Sequence, residues 1–219
     1  MICEIDLLKN YPKANRDLSK RAADKTEADR MVARKFGKDF FDGDRRHGYG
    51  GFTYNQKFWT PVVPDFQRHF NLTSNDKILD VGCAKGFMLK DFSRSIPGIN
   101  VSGIDISDYA IENSLLEMKP FLKVANAKSL PFENDEFDLV ISINTVHNLE
   151  LAECAQALQE IERVSKRGSF ITVDAYRNDE EKERMMAWNL TAKTIMSVVQ
   201  WKEFFSEIGY TGDYYWFIP

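Results

Sequence analysis

The stretch of sequence that decides the fold is Lys77-Ile78-Leu79-Asp80-Val81-Gly82-Cys83-Ala84-Lys85-Gly86-Phe87. Its apolar first half predicts a buried strand, and the two glycines after it predict a turn that leads into a helix. Asp80 interrupts the apolar run, where a carboxylate is costly unless a partner neutralises it or hydrogen-bonds to it. Gly82 and Gly86 have no Cβ, so the backbone of the turn can approach a ligand closely. The stretch therefore predicts a nucleoside-ligand site at the carboxyl edge of a parallel sheet, where an ammonium group would satisfy Asp80.

The glycine spacing separates two kinds of nucleoside ligand. A dinucleotide site needs Gly-x-Gly-x-x-Gly, but the second and third glycine positions, counted from Gly82, hold Ala84 and Phe87. What remains, Asp-x-Gly-x-x-x-Gly over residues 80–86, resembles the first motif of the class I S-adenosylmethionine (SAM) methyltransferases. A nicotinamide-dependent oxidoreductase on a similar sheet is the less favoured alternative.

Three further segments match the same family in the same order. They are Val101-Ser102-Gly103-Ile104-Asp105-Ile106-Ser107, Ala125-Asn126-Ala127-Lys128-Ser129-Leu130-Pro131-Phe132 and Phe137-Asp138-Leu139-Val140-Ile141-Ser142-Ile143-Asn144-Thr145-Val146-His147-Asn148. The resemblance covers about residues 55–212 and is closest to the small-molecule methyltransferases of the ubiquinone-biosynthesis type. It implies an α/β fold with a Rossmann-like class I methyltransferase sheet, mostly parallel, with helices on both faces and an N-terminal helical lid. It also implies the cofactor SAM and the product S-adenosylhomocysteine (SAH).

The resemblance assigns the cofactor contacts residue by residue. It implies that Asp80 orients the methionine amino group, that Asp105 accepts hydrogen bonds from the ribose hydroxyls, and that Asn126 holds the adenine edge. Asn126 stands where the family often has Asp, but an Asn oxygen can still accept. Ser107 is expected to cap the helix that follows, which leaves Asp105 for the ligand. The expected cofactor-binding set is Asp80, Gly82, Cys83, Ala84, Gly86, Asp105, Ile106, Asn126, Ala127 and Asn144.

His147 is the candidate catalytic residue. Methyl transfer is an in-line displacement, so the protein mainly positions the nucleophile and excludes water. A general base is needed only if the acceptor must lose a proton early, and histidine titrates in the right range. The same position often holds a structural histidine in the family, and both roles stay open.

Residues 1–54 are expected to form an N-terminal arm, a helix from Thr26 to about Phe41 and a glycine-rich lid, and residues 55–219 the methyltransferase domain. Thr26 and Asp29 predict a capping box at the helix start. The expected substrate and lid residues are Arg45, Arg46, His47, Tyr49 and Tyr54. Arginine pairs bind carboxylate or phosphate bidentately, so the loop favours an anionic acceptor, although a merely solvated loop is an equal alternative.

Beyond the first strand, apolar segments alternate in a pattern that predicts a doubly wound parallel sheet. The expected strands lie near 100–105, 121–125, 137–143, 169–175 and 212–218. The expected helices lie near 58–70, 85–95, 107–117, 151–165, 179–188 and 201–208, and the first of them is expected to be broken near its start by Pro61 and Pro64. The family's sheet usually ends in an antiparallel pair. One strand of that pair is clear here, and the other is expected within 191–196 or is missing.

The composition of the chain limits the kinds of partner that it is expected to bind. The chain has 219 residues, of which 43% are hydrophobic and 28% charged, and its net charge of −4 disfavours nucleic acid as a partner. No apolar run is long enough to cross a membrane, and no signal peptide is recognisable. The three cysteines form no Cys-x-x-Cys pair, so we expect a reducing cytoplasm and no metal. The chain is expected to act as a monomer or homodimer.

These observations together predict a SAM-dependent methyltransferase. The family signatures of DNA-base, protein-glutamine and pyrimidine carbon methylation do not occur in the sequence. The expected reaction is therefore transfer to O or N of a small polar or anionic metabolite, with sugar or glycan precursors and phosphorylated or carboxylated intermediates favoured. A non-catalytic, SAM-binding regulatory protein is the main alternative.

Overall fold

The computed structural model describes residues 3–12, 25–48 and 53–219. Its strands are β1 Lys77–Val81, β2 Asn100–Asp105, β3 Leu122–Val124, β4 Leu139–Ile143, β5 Ser169–Tyr176, β6 Met196–Ser197 and β7 Asp213–Phe217. Its helices are α1 Glu27–Ala33, α2 Lys38–Phe41, α3 Gln56–Trp59, α4 Val63–Phe70, α5 Phe87–Ser95, α6 Asp108–Glu112, α7 Leu151–Val164, α8 Asp179–Trp188 and α9 Val198–Ile208. Short 3-10 turns cover Lys119–Phe121 and Val146–Asn148. Across the described ranges, no helix is long and apolar enough to cross a membrane.

The seven strands form one sheet in the order β3-β2-β1-β4-β5, and β5 also pairs with β6 and with β7. Every strand pair that the structure describes is parallel, which confirms the predicted mostly parallel sheet. The expectation of an antiparallel end pair is wrong for this part of the chain. Helix α9 carries the chain back across the sheet before β7 begins, so β7 runs beside β5 in the same direction.

Two apolar cores cover the two faces of the sheet. On one face, Ile78 of β1 packs with α4 and α5 through Phe66 and Phe92. On the other face, Leu79 belongs to a core with α7 and α9 that includes Leu158 and Trp201. Successive residues of a strand point to opposite faces, so the continuous apolar runs of the central strands serve both cores. This confirms the prediction of helices on both faces.

Local chemistry shortens two of the expected helices. The helix predicted from Thr26 to about Phe41 is interrupted between α1 and α2, where Phe36 has a φ of 49° and Gly37 begins the next helix in an extended conformation. The predicted capping box at Thr26 and Asp29 is present. The helix expected over 107–117 ends at Glu112, and the hydroxyl of Ser114 then donates to the carbonyl of Ile111, which competes with helix continuation.

The described part of the N-terminal arm lies against the sheet. The N–H of Ile5 donates to the carbonyl of Tyr214 at 3.0 Å, and the N–H of Tyr214 donates to the carbonyl of Cys3 at 3.0 Å. Leu7 is buried in the core of α4 and α5. Residues 3–5 therefore extend the sheet beyond β7, and residues 1–2 and 13–24 of the predicted arm lie outside the described residues.

Candidate functional site

Strand register brings four polar side chains to one face of the sheet. Asp80 pairs with Gly103 of β2 and with Ile141 of β4, which in turn pairs with Phe170 of β5. Because residues two apart along a strand share a face, the side chains of Asp80, Asp105, Thr172 and Asp174 all emerge on the face that α4 and α5 cover. All four lie at or near the carboxyl ends of their strands, which is where open parallel sheets bind ligands.

The turn after β1 depends on its glycines. Gly82 and Gly86 have φ values of +90° and +78°, and Ala84 has a φ of 49°. A Cβ on Gly82 would lie 2.1 Å from the Oγ1 of Thr145, so a larger residue cannot fit without moving the loop after β4. The N–H groups of Gly82 and Cys83 both donate to the carbonyl of Ile104. The turn is thus held close to the ends of both β2 and β4.

Asp80 is a buried carboxylate without a partner in the described part of the chain. Its residue is 5% exposed, and no described side chain or backbone N–H hydrogen-bonds to it. Burial, with a smaller contribution from the charge of Asp105, raises the pKa of Asp80 from its ordinary 3.8 to about 7. A cationic ligand group at this position would offset that cost.

Asp105 joins the turn to the helix after β2. One carboxylate oxygen accepts from the N–H of Ala84 at 2.8 Å, and the other accepts from the N–H of Ser107 at 2.9 Å. Burial raises the pKa of Asp105 despite these donors. The hydroxyl of Ser107 caps α6 by accepting from the N–H of Ala110, as predicted. Each oxygen of Asp105 keeps a lone pair for a further donor such as a sugar hydroxyl.

The residues expected at the adenine end differ in exposure. Ile106 directly follows Asp105 and is 54% exposed, so it offers an apolar surface beside the turn. Ala127 is half-buried, and the Oδ1 of Asn126 accepts from the N–H of Lys128 at 3.0 Å. Cys83 is buried, and burial raises the pKa of its thiol well above the usual range. A protonated, enclosed thiol suits a small residue that packs beside the turn better than it suits a nucleophile.

Asn144 lies one residue beyond β4, at the carboxyl edge of the sheet. It is exposed and has a φ of 52°, a conformation that Asn tolerates better than most residues. Thr172 of β5 fixes it, because the threonine hydroxyl donates to Oδ1 of Asn144 at 2.9 Å and accepts from its N–H at 3.0 Å. Thr172 is not predictable as a site residue from the sequence, since a threonine in a buried strand carries no signal of its own.

His147 is enclosed rather than directed at the sheet edge. Its residue is 2% exposed, its Nδ1 accepts from the N–H of Asp174 at 3.1 Å, and its Nε2 lies 3.7 Å from the Oδ1 of Asp174. Burial lowers the pKa of His147, against the opposing charge of Asp174. The neutral ring links the loop after β4 to β5, which favours the structural alternative. Asp174 was not anticipated, and its Oδ2 is buried with no hydrogen-bond partner in the described residues.

The N-terminal helices contact the turn after β1 and the start of α6. The Nζ of Lys85 lies 2.7 and 2.6 Å from the two carboxylate oxygens of Asp42, and the hydroxyl of Tyr109 donates to the same carboxylate at 2.8 Å. The hydroxyl of Ser107 also donates to the carbonyl of Phe36. Because Lys85 lies in the turn that the sequence predicts to be buried, its ammonium indicates that an acidic side chain from another segment packs against it. Nothing in the sequence pointed to Asp42 as that acid.

The predicted lid residues do not converge in the described structure. Arg45 and Arg46 are exposed, and the Nε2 of His47 lies 3.0 Å from Oδ1 of Asp29 in α1. The hydroxyl of Tyr54 donates to Oδ1 of Asp91 on α5 at 2.5 Å. Tyr49 lies outside the described residues. Two of these side chains, those of His47 and Tyr54, are therefore engaged by carboxylates of neighbouring helices.

Known proteins match the part of the chain that forms this site. Residues 79–173 match a family model described as a methyltransferase domain. The mitochondrial arginine-hydroxylase NDUFAF5 of Mus musculus is 31% identical over 105 residues, which are 48% of this chain and 28% of that protein. The malonyl-[acyl-carrier protein] O-methyltransferase of Legionella pneumophila is 26% identical over 52% of this chain and 40% of that protein. The matches thus span less than half the length of these two relatives.

Solved structures share the fold. The MccD protein superposes with a TM-score of 0.55 at 25% identity, over 66% of this chain and 68% of that one. The [4+2]-cyclase SpnF superposes with a TM-score of 0.58 at 18% identity, over 91% of this chain and 74% of that one. Together with the motifs and the sheet, the match over residues 79–173 supports a class I SAM-dependent methyltransferase domain in this part of the chain.

Proposed function

We propose that this protein binds SAM at the carboxyl edge of its sheet and transfers the methyl group to O or N of a small polar or anionic acceptor. The observation that carries the proposal is the carboxylate of Asp80, which is buried beside the glycine turn and has no hydrogen-bond partner among the described residues. The α-ammonium of SAM is a cation that would offset the cost of burying such a carboxylate. SAM itself supplies the activated methyl group on a sulfonium, which is already a good leaving group.

The remaining cofactor contacts follow from the same edge. Asp105 would accept from the ribose hydroxyls through its free lone pairs, since its other lone pairs hold Ala84 and Ser107. Ile106 and Ala127 would pack against the adenine, and Asn126 would accept from its amino group. The chain's contribution to the reaction is then to orient the cofactor and to exclude water from the acceptor.

The residues near the acceptor side of the site offer less chemistry for the reaction than those that would bind the cofactor. We infer that His147 positions the loop after β4 and does not exchange protons with the acceptor, because its ring is enclosed and both nitrogens face Asp174. An acceptor that needs no early proton loss fits such a site. The preference for an anionic acceptor rests on Arg45 and Arg46, whose side chains are exposed near the N-terminal helices.

Two other functions are compatible with the same fold. The order of the six longer strands, β3-β2-β1-β4-β5-β7, is also the order of the dinucleotide-binding fold, so topology alone does not exclude a nicotinamide cofactor; the glycine spacing disfavours it. Two proteins that match this chain are named for hydroxylation and for cyclisation. Methyl transfer therefore needs a test that is separate from the test of cofactor binding.

The decisive experiment is calorimetric titration with SAH of the wild type, Asp105→Ala and the matched control Asp108→Ala. Asp108 is an exposed acid on α6 three residues further along, so its loss changes charge without touching the site. We expect micromolar binding by the wild type and the control, on the order of −8 kcal/mol, and at least tenfold weaker binding by Asp105→Ala. Absence of SAH binding by the wild type, or tight binding of NADH in its place, would refute the proposal. Release of label from methyl-labelled SAM to candidate acceptors then separates an enzyme from a regulatory SAM-binding protein.

A further inference from the structure

Asn144 and Thr172 form a closed hydrogen-bonded ring at the edge of the site. The N–H of Asn144 donates to the hydroxyl oxygen of Thr172 at 3.0 Å, and the same N–H lies 3.1 Å from the carbonyl oxygen of Thr172. The single hydroxyl hydrogen of Thr172 is then available for Oδ1 of Asn144, which lies 2.9 Å away. A threonine hydroxyl has one hydrogen and two lone pairs, so this arrangement uses each group in the role it can take.

The ring decides which way the carboxamide of Asn144 faces. With Oδ1 held by Thr172, the amide nitrogen must point the other way, and it has no hydrogen bond to any residue of the described ranges. Thr172 itself is 2% exposed and cannot move freely, whereas Asn144 is exposed. The backbone carbonyl of Asn144 is held as well, by the side chain of Asn148 at 3.2 Å. The result is a pair of fixed N–H donors on a residue with a left-handed backbone, and strain of this kind is often kept at functional sites.

The position of these donors suits the amino-acid end of the cofactor. Ile141 of β4 pairs with Asp80, so Asn144 lies three residues beyond the level of Asp80 on the neighbouring strand. The next residue, Thr145, lies against the Gly82 turn. In an α-amino acid group, the ammonium and the carboxylate are attached to the same carbon, so a ligand whose ammonium contacts Asp80 has its carboxylate within a few ångströms of that ammonium. The two amide N–H groups of Asn144 are suitable donors to a carboxylate oxygen.

We propose that Asn144 donates to the methionine carboxylate of the cofactor and that Thr172 is a positioning residue that fixes this donor. The inference rests on the proposed function and adds a specific contact to it. Asn144 already belongs to the expected cofactor set as a residue near the transferred methyl, but nothing in the sequence indicated that it would bind the carboxylate or that a residue 28 positions away would orient it.

The test measures binding of two ligands to three variants. The ligands are SAH and decarboxylated SAH, which keeps the adenosine, the thioether and the amine but lacks the carboxylate. Thr172→Val removes the hydroxyl at nearly constant volume, and Thr172→Ser keeps it as the matched control. Asn144→Gly removes the donor at a position whose φ of 52° glycine adopts without strain, so it tests the inference even if Thr172→Val folds poorly.

We expect Thr172→Val and Asn144→Gly to weaken SAH binding about tenfold and Thr172→Ser to stay within twofold of the wild type. For decarboxylated SAH, all four proteins should bind within twofold of one another. Equal weakening of both ligands would show a merely structural role, and unchanged SAH binding would show that Asn144 does not contact the cofactor; either result overturns the inference. Failure of the wild type to bind SAH would instead refute the proposed function and this inference with it.

Discussion

Replacing Asp80 by Asn should make the protein more stable and less able to bind its cofactor. Asp80 is buried, and burial followed by the charge of Asp105 raises its pKa to about 7. The folded state therefore holds a proton on Asp80 more tightly than the unfolded chain does. The stability that this protonated group contributes is complete below about pH 4 and is lost as the pH rises through about 7.

The pKa shift of Asp80 sets the size of the expected change in unfolding free energy. Moving the pKa from 3.8 to about 7 corresponds to at most about 4 kcal/mol of unfolding free energy. Asparagine has nearly the same shape and no charge, so we expect Asp80→Asn to exceed the wild type by about 2 to 4 kcal/mol at pH 8. Near pH 4, where the wild-type carboxyl is already neutral, the two proteins should unfold at similar denaturant concentrations.

Urea unfolding at several pH values between 4 and 8 measures this difference, with Asp108→Asn as the control on an exposed acid. SAH titrations on the same proteins should show at least tenfold weaker binding by Asp80→Asn. Because the ligand ammonium lowers the pKa of Asp80, SAH binding to the wild type near pH 7 should release about half a proton. A variant that is less stable than the wild type at pH 8, or a difference in stability that does not change with pH, would refute the argument, which takes Asp80 to have the described residues as its whole surroundings and no partner among them.

Two further predictions concern residues around the site. Asp42→Asn removes the carboxylate that lies against the ammonium of Lys85, whose side chain is 7% exposed. Because the side chain of Asp42 is 30% exposed, we expect the unfolding free energy to fall by about 1 to 3 kcal/mol. Urea unfolding beside the control Asp39→Asn checks this, and equal stability of the two variants would contradict it. His147→Gln should lower the unfolding free energy by about 2 kcal/mol, because it removes the acceptor that the N–H of Asp174 uses. An unchanged melting temperature in differential scanning calorimetry would show that the ring does not hold the loop.

The motif regions were predictable because their signals are local. The strand and turn over 77–87 follow from an apolar run and two glycines, and the structure places both glycines at positive φ. The capping box at Thr26 and the cap at Ser107 follow from side chains that bond to backbone only a few residues away. The interruption at Phe36 and Gly37 was missed, since the apolar periodicity continues across it.

Contacts between distant segments could not be predicted in this way. The parallel course of β7 depends on α9 returning the chain to the opposite edge of the sheet before β7 begins, and no residue within β7 records that path. The ion pair of Asp42 with Lys85 and the ring of Thr172 with Asn144 join residues 43 and 28 positions apart. Such pairs carry no periodicity, because each partner is an ordinary residue in its own segment.

The sequence by itself determined the parallel α/β core, the glycine turn and the two acids beside it. These depend on apolar alternation and on backbone conformations that only particular residues adopt. The tertiary structure alone decided that Asp80 is left without a described partner, that Asp105 is shared with two backbone donors, and that His147 is enclosed against Asp174. Burial and charge at a side chain are set by every segment packed around it, so they exist only once the chain has folded.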